Sequence, residues 1–174
     1  MSGSADERPA SGPLTIRRLT EPDAAQFREI RLEALRTAPD AFAASLETEA
    51  AKDLAQFEAR LIRSHVFGAF EGTSIIGMAG YFRQSGEKLA HKGVVWGMFV
   101  RPESRKSGVG HALLIAVIAE ARKEVEVVNL TVGTENHAAL ALYRSLGFEV
   151  YGVEPDALKT SDGYLSETLM TLRF

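Results

Sequence analysis

The segment 105–110 has the residue types of an anion-binding loop. It follows an apolar run that ends at Val100, precedes a long helical pattern, and reads Arg105-Lys106-Ser107-Gly108-Val109-Gly110. Its two glycines permit a left-handed backbone and leave no Cβ, so the main chain can approach a ligand closely. Amide groups at the start of the following helix point outward, where the helix dipole favours negative charge. The arginine and lysine add positive charge, and a pyrophosphate fits this pattern. A strand-to-helix turn that simply uses glycine is the alternative.

A second informative segment is 136–148, which reads Asn136-His137-Ala138-Ala139-Leu140-Ala141-Leu142-Tyr143-Arg144-Ser145-Leu146-Gly147-Phe148. Its asparagine stands where a helix begins and can cap the free backbone amides. Ala139, Leu142 and Leu146 follow helical spacing and indicate a buried face. Tyr143 lies on the same helix, either as a core residue or as a functional phenol.

Together the two segments resemble the GNAT superfamily of N-acetyltransferases. The first, Arg105-x-x-Gly108-x-Gly110, is similar to that family's coenzyme A pyrophosphate loop. The preceding Met98-Phe99-Val100-Arg101-Pro102 is similar to the end of its fourth strand. The second segment matches the family pattern N-x-x-A-x-x-L-Y-x-x-x-G-F. The motifs stand in the expected order and spacing, and with the element order the resemblance covers roughly Leu14 to Phe174.

The resemblance implies acetyl-coenzyme A as the co-substrate. The residues that would bind it are Met98, Phe99, Val100, Arg105, Lys106, Ser107, Gly108, Val109, Gly110, His111, Asn136, Tyr143 and Arg144. It implies that Asn136 hydrogen-bonds the coenzyme as well as capping a helix, and that the Tyr143 hydroxyl faces the thioester sulfur. A departing thiolate of pKa about 8.5 gains from a phenol of pKa about 10 within hydrogen-bond reach. Tyr143 is therefore the expected proton donor.

Gly97 interrupts the apolar fourth strand, Val94–Val100. An isolated glycine in a strand often marks a bulge, and a bulge here would turn the backbone N–H of Met98 outward. That N–H would donate to the oxyanion of an acyl-transfer step, which makes Met98 the second expected catalytic residue. In the family the pantetheine arm of the coenzyme pairs with this strand. The alternative is that Gly97 only makes room for Trp96.

The base that would deprotonate the amine is not evident. Some family members carry a glutamate on the fourth strand, whereas Val94–Val100 contains no carboxylate or histidine. The candidates are Glu47, Glu49, His91 and an ordered water chain. Glu47 and Glu49 lie in a segment that often covers the acceptor site in this family, and otherwise they form a solvated helical face. Because the chain has no cysteine, a route through an acetylated thiol is excluded and direct attack in a ternary complex is expected.

The elements that must position these residues follow from hydrophobic periodicity. The pattern predicts the order β-α-α-β-β-β-α-β-α-β-β, with helices at Val109–Lys123 and Asn136–Leu146. An earlier helix is expected to carry Leu54, Phe57, Leu61 and Ile62 on one face. A loop around Pro155, Asp156 and Gly163 is expected between the last two strands. The predicted fold class is α+β (α/β three-layer): a mixed, mostly antiparallel sheet of about seven strands with helices on both faces.

Two regions of the chain differ in composition. Residues 1–13 are polar and are expected to be an unstructured tail or a cloning remnant. Residues 14–174 are expected to form a single N-acetyltransferase domain, a size at which roughly 70% of the unfolded chain's surface can be buried.

The composition also excludes several classes of function. Lys and Arg number 20 against 23 Asp and Glu, a net charge of −3 that offers no basic excess for binding nucleic acid. No apolar run approaches the ~20 residues of a membrane span, and a cytoplasmic protein is expected. The four histidines stand far apart and cysteine is absent, so no metal site is expected.

The function predicted from these features is transfer of an acetyl group from acetyl-coenzyme A to a primary amine of a small molecule. Two alternatives stay open: a protein N-terminal or lysine acetyltransferase, and a non-catalytic sensor that binds acyl-coenzyme A. A homodimer is also expected, paired through exposed strand edges at Tyr164–Phe174.

Overall fold

A computed structural model describes residues 12–174, so most of the predicted tail at 1–13 lies outside the described residues. The strands are β1 (Leu14–Arg18), β2 (His65–Glu71), β3 (Ser74–Arg83), β4 (Lys92–Val100), β5 (Val127–Gly133), β6 (Glu149–Thr160) and β7 (Gly163–Arg173). The helices are α1 (Ala24–Thr37), α2 (Leu46–Ala50), α3 (Leu54–Arg63), α4 (Val109–Ala121) and α5 (His137–Ser145). Within residues 12–174, no helix has both the length and the apolar character to cross a membrane.

The strands form one seven-stranded sheet in the order β1-β2-β3-β4-β5-β7-β6. Every neighbouring pair is antiparallel except β4 and β5, which run parallel. A parallel pair needs a crossover connection, and α4 supplies it between these two strands. The predicted mixed, mostly antiparallel sheet is confirmed.

Helices cover both faces of this sheet. On one face α4 buries Leu113 and Val117 against the central strands, together with residues of α5. On the other face α1 and α3 bury Phe27, Ile30 and Phe57. Helices therefore cover both faces of the middle strands, and the place left for a ligand is the gap where neighbouring strands separate.

The apolar face predicted for the helix α3 is only partly buried. In α3 the buried residues are Phe57 and Leu61, whereas Leu54 and Ile62 are 43% and 63% exposed. The short helix packs only a narrow stripe against the sheet, so the flanking apolar residues stay in solvent.

The C-terminal strands also differ from expectation. The loop predicted around Pro155 is wrong: β6 runs through it as an irregular stretch, with pairing shifted between Glu154 and Leu158. Proline tolerates this position because β6 is an edge strand and needs no inward backbone donor there. Since β7 pairs on both sides, the predicted free edge at Tyr164–Phe174 is wrong as well, and the sheet edges are β1 and β6.

Candidate active site

A cleft opens in the sheet where β4 and β5 diverge. The two strands pair only over Lys92↔Val127 to Val94↔Asn129, and beyond these residues they separate. A cavity of about 1290 Å³ lies in the gap. Its walls are formed by 94–98 of β4 and 129–133 of β5. The separation leaves backbone donors and acceptors of both strands free to bind an extended ligand.

The predicted bulge is present at the mouth of this cleft. Gly97 has φ +67°, and the pairing of β3 with β4 shifts there, so that Ala79 faces both Gly97 and Met98. A Cβ on Gly97 would meet no atom closer than 3.9 Å, so the left-handed backbone, not crowding, accounts for glycine here. Trp96 instead lies over Gly80, where a Cβ would stand 2.4 Å from the indole ring. Gly80 therefore makes room for Trp96, and Gly97 makes the bulge.

The segment 105–110 forms a loop whose backbone turns twice into the left-handed region. Lys106 has φ +61° and Gly108 has φ +84°, and α4 begins at the next residue, Val109. A Cβ on Gly108 would find no atom within 4 Å, so the space before the helix is open. Left-handed residues just ahead of a helix can turn backbone amides towards a common point, and such an arrangement suits an anion.

Side chains of the same loop brace it. The Arg105 Nε donates to the carbonyl of Val100 at 3.0 Å, and its guanidinium lies 5.9 Å from the centre of the Phe99 ring. The Ser107 hydroxyl donates to the carbonyl of Ser104 at 2.6 Å. The loop is therefore held in shape by its own contacts.

Gly110 joins the loop to the cleft. A Cβ on it would stand 2.9 Å from Met98 Cε and 3.2 Å from Leu142 Cδ2. The missing side chain lets the first turn of α4 approach both β4 and α5 closely. The backbone amides at the start of α4 are thus fixed relative to the bulge.

Tyr143 and Asn136 come from α5, on the side of the sheet that α4 covers. Asn136 caps the helix, because its Oδ1 accepts from the Ala139 amide at 3.2 Å. Tyr143 is buried and lines the cleft. Burial raises the pKa of Tyr143 to about 12. The phenol is protonated at neutral pH, as an exposed tyrosine also is, and burial makes it a weaker acid because the phenolate is disfavoured.

Comparison with known proteins decides the family. The acetyltransferase (GNAT) family matches residues 26–148, most of the chain. The chain belongs to the GNAT acetyltransferase family.

Three similar proteins illustrate the range of this family. The N-alpha-acetyltransferase RimI of Mycobacterium tuberculosis is 39% identical over 90 residues, 52% of this chain and 55% of the relative. The L-methionine sulfoximine/L-methionine sulfone acetyltransferase of Pseudomonas aeruginosa is 34% identical over 76 residues, 43% of this chain and 44% of the relative. The chain thus spans about half the length of these relatives. The structure of yncA from Salmonella typhimurium with its cofactor acetyl-CoA matches with a TM-score of 0.77 and 26% identity, over 92% of this chain and 93% of yncA.

The GNAT site residues expected from the sequence fall into three groups. Met98, Asn136 and Tyr143 line the cleft. Three others are buried and lie outside the cleft lining: Phe99, Val100 and Val109. The rest lie outside the cleft lining, on the loop or the adjoining helix surfaces: Arg105, Lys106, Ser107, Gly108, Gly110, His111 and Arg144. The cleft and the loop are adjacent parts of one surface, linked through Gly110.

The candidate bases do not reach the cleft. Glu49 is buried and accepts hydrogen bonds from Arg31, Arg60 and Lys52. Burial alone would raise its pKa, but these hydrogen bonds lower the pKa of Glu49 to about 2. A carboxylate held in this way is a structural anion, which argues against Glu49 as a base or acceptor ligand. Glu47 and His91 are likewise not among the residues that line the cleft.

Two residues that the sequence analysis did not single out do line the cleft. Arg31 is buried on α1 and Glu167 is half-buried on β7. A signal for Arg31 was available: it lies four residues after Phe27 and four before Leu35, within the apolar stripe of α1. A cation in that stripe needs a buried partner. Glu167 carries no such signal, because the direction in which it points depends on strand pairing.

Proposed function

We propose that the protein transfers an acetyl group from acetyl-coenzyme A to a primary amine of a small molecule, by direct attack in a ternary complex. The observation that carries this proposal is the cleft between β4 and β5, whose lining includes both the Gly97 bulge and Tyr143. These are the two groups that acyl transfer needs, an oxyanion donor and a proton donor.

The residues present fit acetyl-coenzyme A. The open amides before α4 at Gly108 suit its pyrophosphate, and Lys106 adds a neighbouring positive charge. The stretch of β4 at 95–98, which pairs with β3 but no longer with β5, suits the amide-containing arm. When bound, the coenzyme supplies an acetyl group already activated as a thioester, so that positioning accounts for much of the rate.

The chain's own groups then act at three atoms. The Met98 N–H donates a hydrogen bond to the carbonyl oxygen as the amine nitrogen attacks the carbonyl carbon. The carbon–sulfur bond breaks, and Tyr143 gives its proton to the departing sulfur. The nitrogen loses one proton to a base, so that charge and protons balance.

Glu167 is our candidate for that base. Three carboxylates line the cleft, those of Asp40, Glu135 and Glu167, and the first two are exposed. Glu167 on β7 pairs with Gly133 on β5. Its side chain therefore lies on the same face of the sheet as that of Thr131, and the buried side chain of Met170 lies on the opposite face. The absence of a Cβ at Gly133 leaves open space in front of Glu167. The proton can pass directly or through water.

A small-molecule acceptor is favoured by the walls of the cleft. Besides β4 and β5, the segment 37–44 and the hairpin residues Tyr151 and Tyr164 surround it. The alternative, a protein N-terminal or lysine acceptor, is supported by the similarity to the Mycobacterium tuberculosis N-alpha-acetyltransferase. The homodimer stays a prediction, and the exposed edge strand β6, which carries Val150 and Val153 at 43% and 55% exposure, is the surface through which it would form.

A panel of acceptors tests the proposal. Thiol release from acetyl-coenzyme A is followed with polyamines, amino acids, aminoglycosides and short peptides, and products are identified by mass spectrometry. We expect amine-dependent release with at least one small amine. Release only with peptides would support the protein-acceptor alternative, and coenzyme binding without any release would indicate a sensor.

A further inference from the structure

We infer that Arg31 binds a carboxylate of the acceptor, so that the acceptor is an amino acid or a closely related amine that carries a carboxylate near its amino group. This inference rests on the proposed acetyl transfer and names the substrate class of the same cleft.

Arg31 is a buried cation whose guanidinium nitrogen Nη1 is not hydrogen-bonded within residues 12–174. Its side chain is only 8% exposed, and its Nε donates to Glu49 Oε2 at 3.0 Å. Its Nη1 is buried and has no hydrogen-bond partner among residues 12–174. A guanidinium has five N–H donors, and leaving the two on Nη1 buried and unsatisfied is unfavourable. An acceptor atom brought by a ligand would remove that penalty.

The charges around Arg31 do not balance. Glu49 is the shared partner of Arg31, Arg60 and Lys52, so three cations face a single carboxylate in this cluster. Arg60 and Lys52 are partly exposed, whereas Arg31 is not. Buried charge is stable when it is paired, and the excess positive charge therefore favours a second anion beside Arg31.

The free donor lies next to the reaction centre. Arg31 lines the cleft, and its Nη1 is 3.9 Å from the position that a Cβ on Gly97 would take. Gly97 immediately precedes Met98, whose N–H is the proposed oxyanion donor. An anion bound at Nη1 would therefore bring a neighbouring amino group towards the Met98 N–H. The Trp96 Nε1, also buried in the cleft lining without a partner in residues 12–174, offers a second donor.

The aromatic surroundings favour a small planar anion. The Arg31 guanidinium lies 5.0 Å from the centre of the Phe42 ring and 5.9 Å from that of Trp96. With these two rings close to the guanidinium, a ligand would bind the N–H groups at its edge. The two oxygens of a carboxylate can accept hydrogen bonds from two such N–H groups. An internal peptide group has no charge to offer here. The site therefore favours free amino acids over the N-termini of proteins.

The experiment compares matched acceptors on the full-length protein. Each amino acid is assayed beside its carboxamide and its decarboxylated amine, with saturating acetyl-coenzyme A. We expect kcat/KM to be at least about tenfold higher for the amino acid, since the carboxylate accepts a charge-assisted hydrogen bond. Equal kcat/KM for acid and amide would overturn the inference and leave the proposed acetyl transfer intact.

A variant and a binding signal complete the test. Arg31→Lys keeps a cation for Glu49 but loses the planar fork of donors, so kcat/KM for the acid should fall more than kcat/KM for the decarboxylated amine. Trp96 is the single tryptophan of the chain, and its fluorescence reports ligands beside Arg31 without requiring turnover. We expect saturable quenching by amino acids and much weaker quenching by their amides in the parent protein. Identical titration curves for acid and amide would refute carboxylate binding even if no acceptor were acetylated.

Discussion

The ring of Tyr143 meets the ring of Phe148 edge to face, with centroids 5.8 Å apart and planes inclined by 64°. The contact fixes the phenol on the cleft wall through its ring, independently of its hydroxyl. The carbon atoms of Tyr143 therefore serve packing, and its oxygen is left for the proposed proton transfer.

The substitution Tyr143→Phe removes the hydroxyl and keeps the ring. The ring packing is preserved, so the melting temperature should barely change, whereas loss of a general acid should lower kcat about 10²- to 10⁴-fold. Tyr81→Phe is the matched control, because burial also raises the pKa of Tyr81 to about 12 and it lies outside the cleft lining. A folded Tyr143→Phe protein with kcat within about threefold of the parent would end the general-acid assignment.

Gly108→Ala should weaken acetyl-coenzyme A binding at least about tenfold, or 1.4 kcal/mol. The added methyl group points into the open space before α4 and the residue keeps φ +84°, which disfavours any side chain. Calorimetry measures the affinity. Gly72→Ala is the control: its φ is +58°, its Cβ also meets nothing within 4 Å, and it lies in the β2–β3 turn. Equal effects of the two substitutions on binding would contradict the loop assignment.

Glu49→Gln should destabilise the fold by about 3–5 kcal/mol at neutral pH, since it leaves buried Arg31 without its anion. The pKa of Glu49 falls from its ordinary value of 4.5 to about 2 on folding. Its stabilising contribution is therefore complete above pH 4.5 and is lost as the pH falls towards 2. Urea unfolding at neutral pH and below pH 4.5 should show the difference between parent and variant shrinking on acidification. Exposed Glu47→Gln should change stability by no more than about 0.5 kcal/mol.

Glu167→Gln should lower kcat about 10²- to 10⁴-fold and shift the pH profile of kcat/KM, if Glu167 receives the amine proton. Affinity for acetyl-coenzyme A should be unchanged. Glu154, its cross-strand neighbour on β6, is exposed and outside the cleft lining, so Glu154→Gln is the matched control. If the two variants have the same pH profile as the parent, the proton leaves by another route, such as a water chain.

Local patterns were enough to predict the parts of the site that depend on backbone conformation. Gly97 and Gly108 both adopt the left-handed conformations that their positions in the sequence indicated. Asn136 caps its helix for the same reason, since capping involves residues close together in sequence.

Features that depend on distant partners could not be predicted in this way. The burial of Arg31 depends on its ion pair with Glu49, which lies 18 residues away on another helix. The free edge of the sheet was misplaced because local alternation does not reveal that β7 inserts between β5 and β6. Pro155 suggested a loop, yet its place on an edge strand lets β6 continue through it.

The most direct test of the account is a two-substrate initial-rate measurement. Thiol release is recorded while acetyl-coenzyme A and the best amine from the panel are varied together. We expect thiol release that requires the amine and an acetylated amine as the product. Direct attack in a ternary complex also requires that the double-reciprocal lines intersect. Parallel lines, or thiol release at the same rate without any amine, would contradict it.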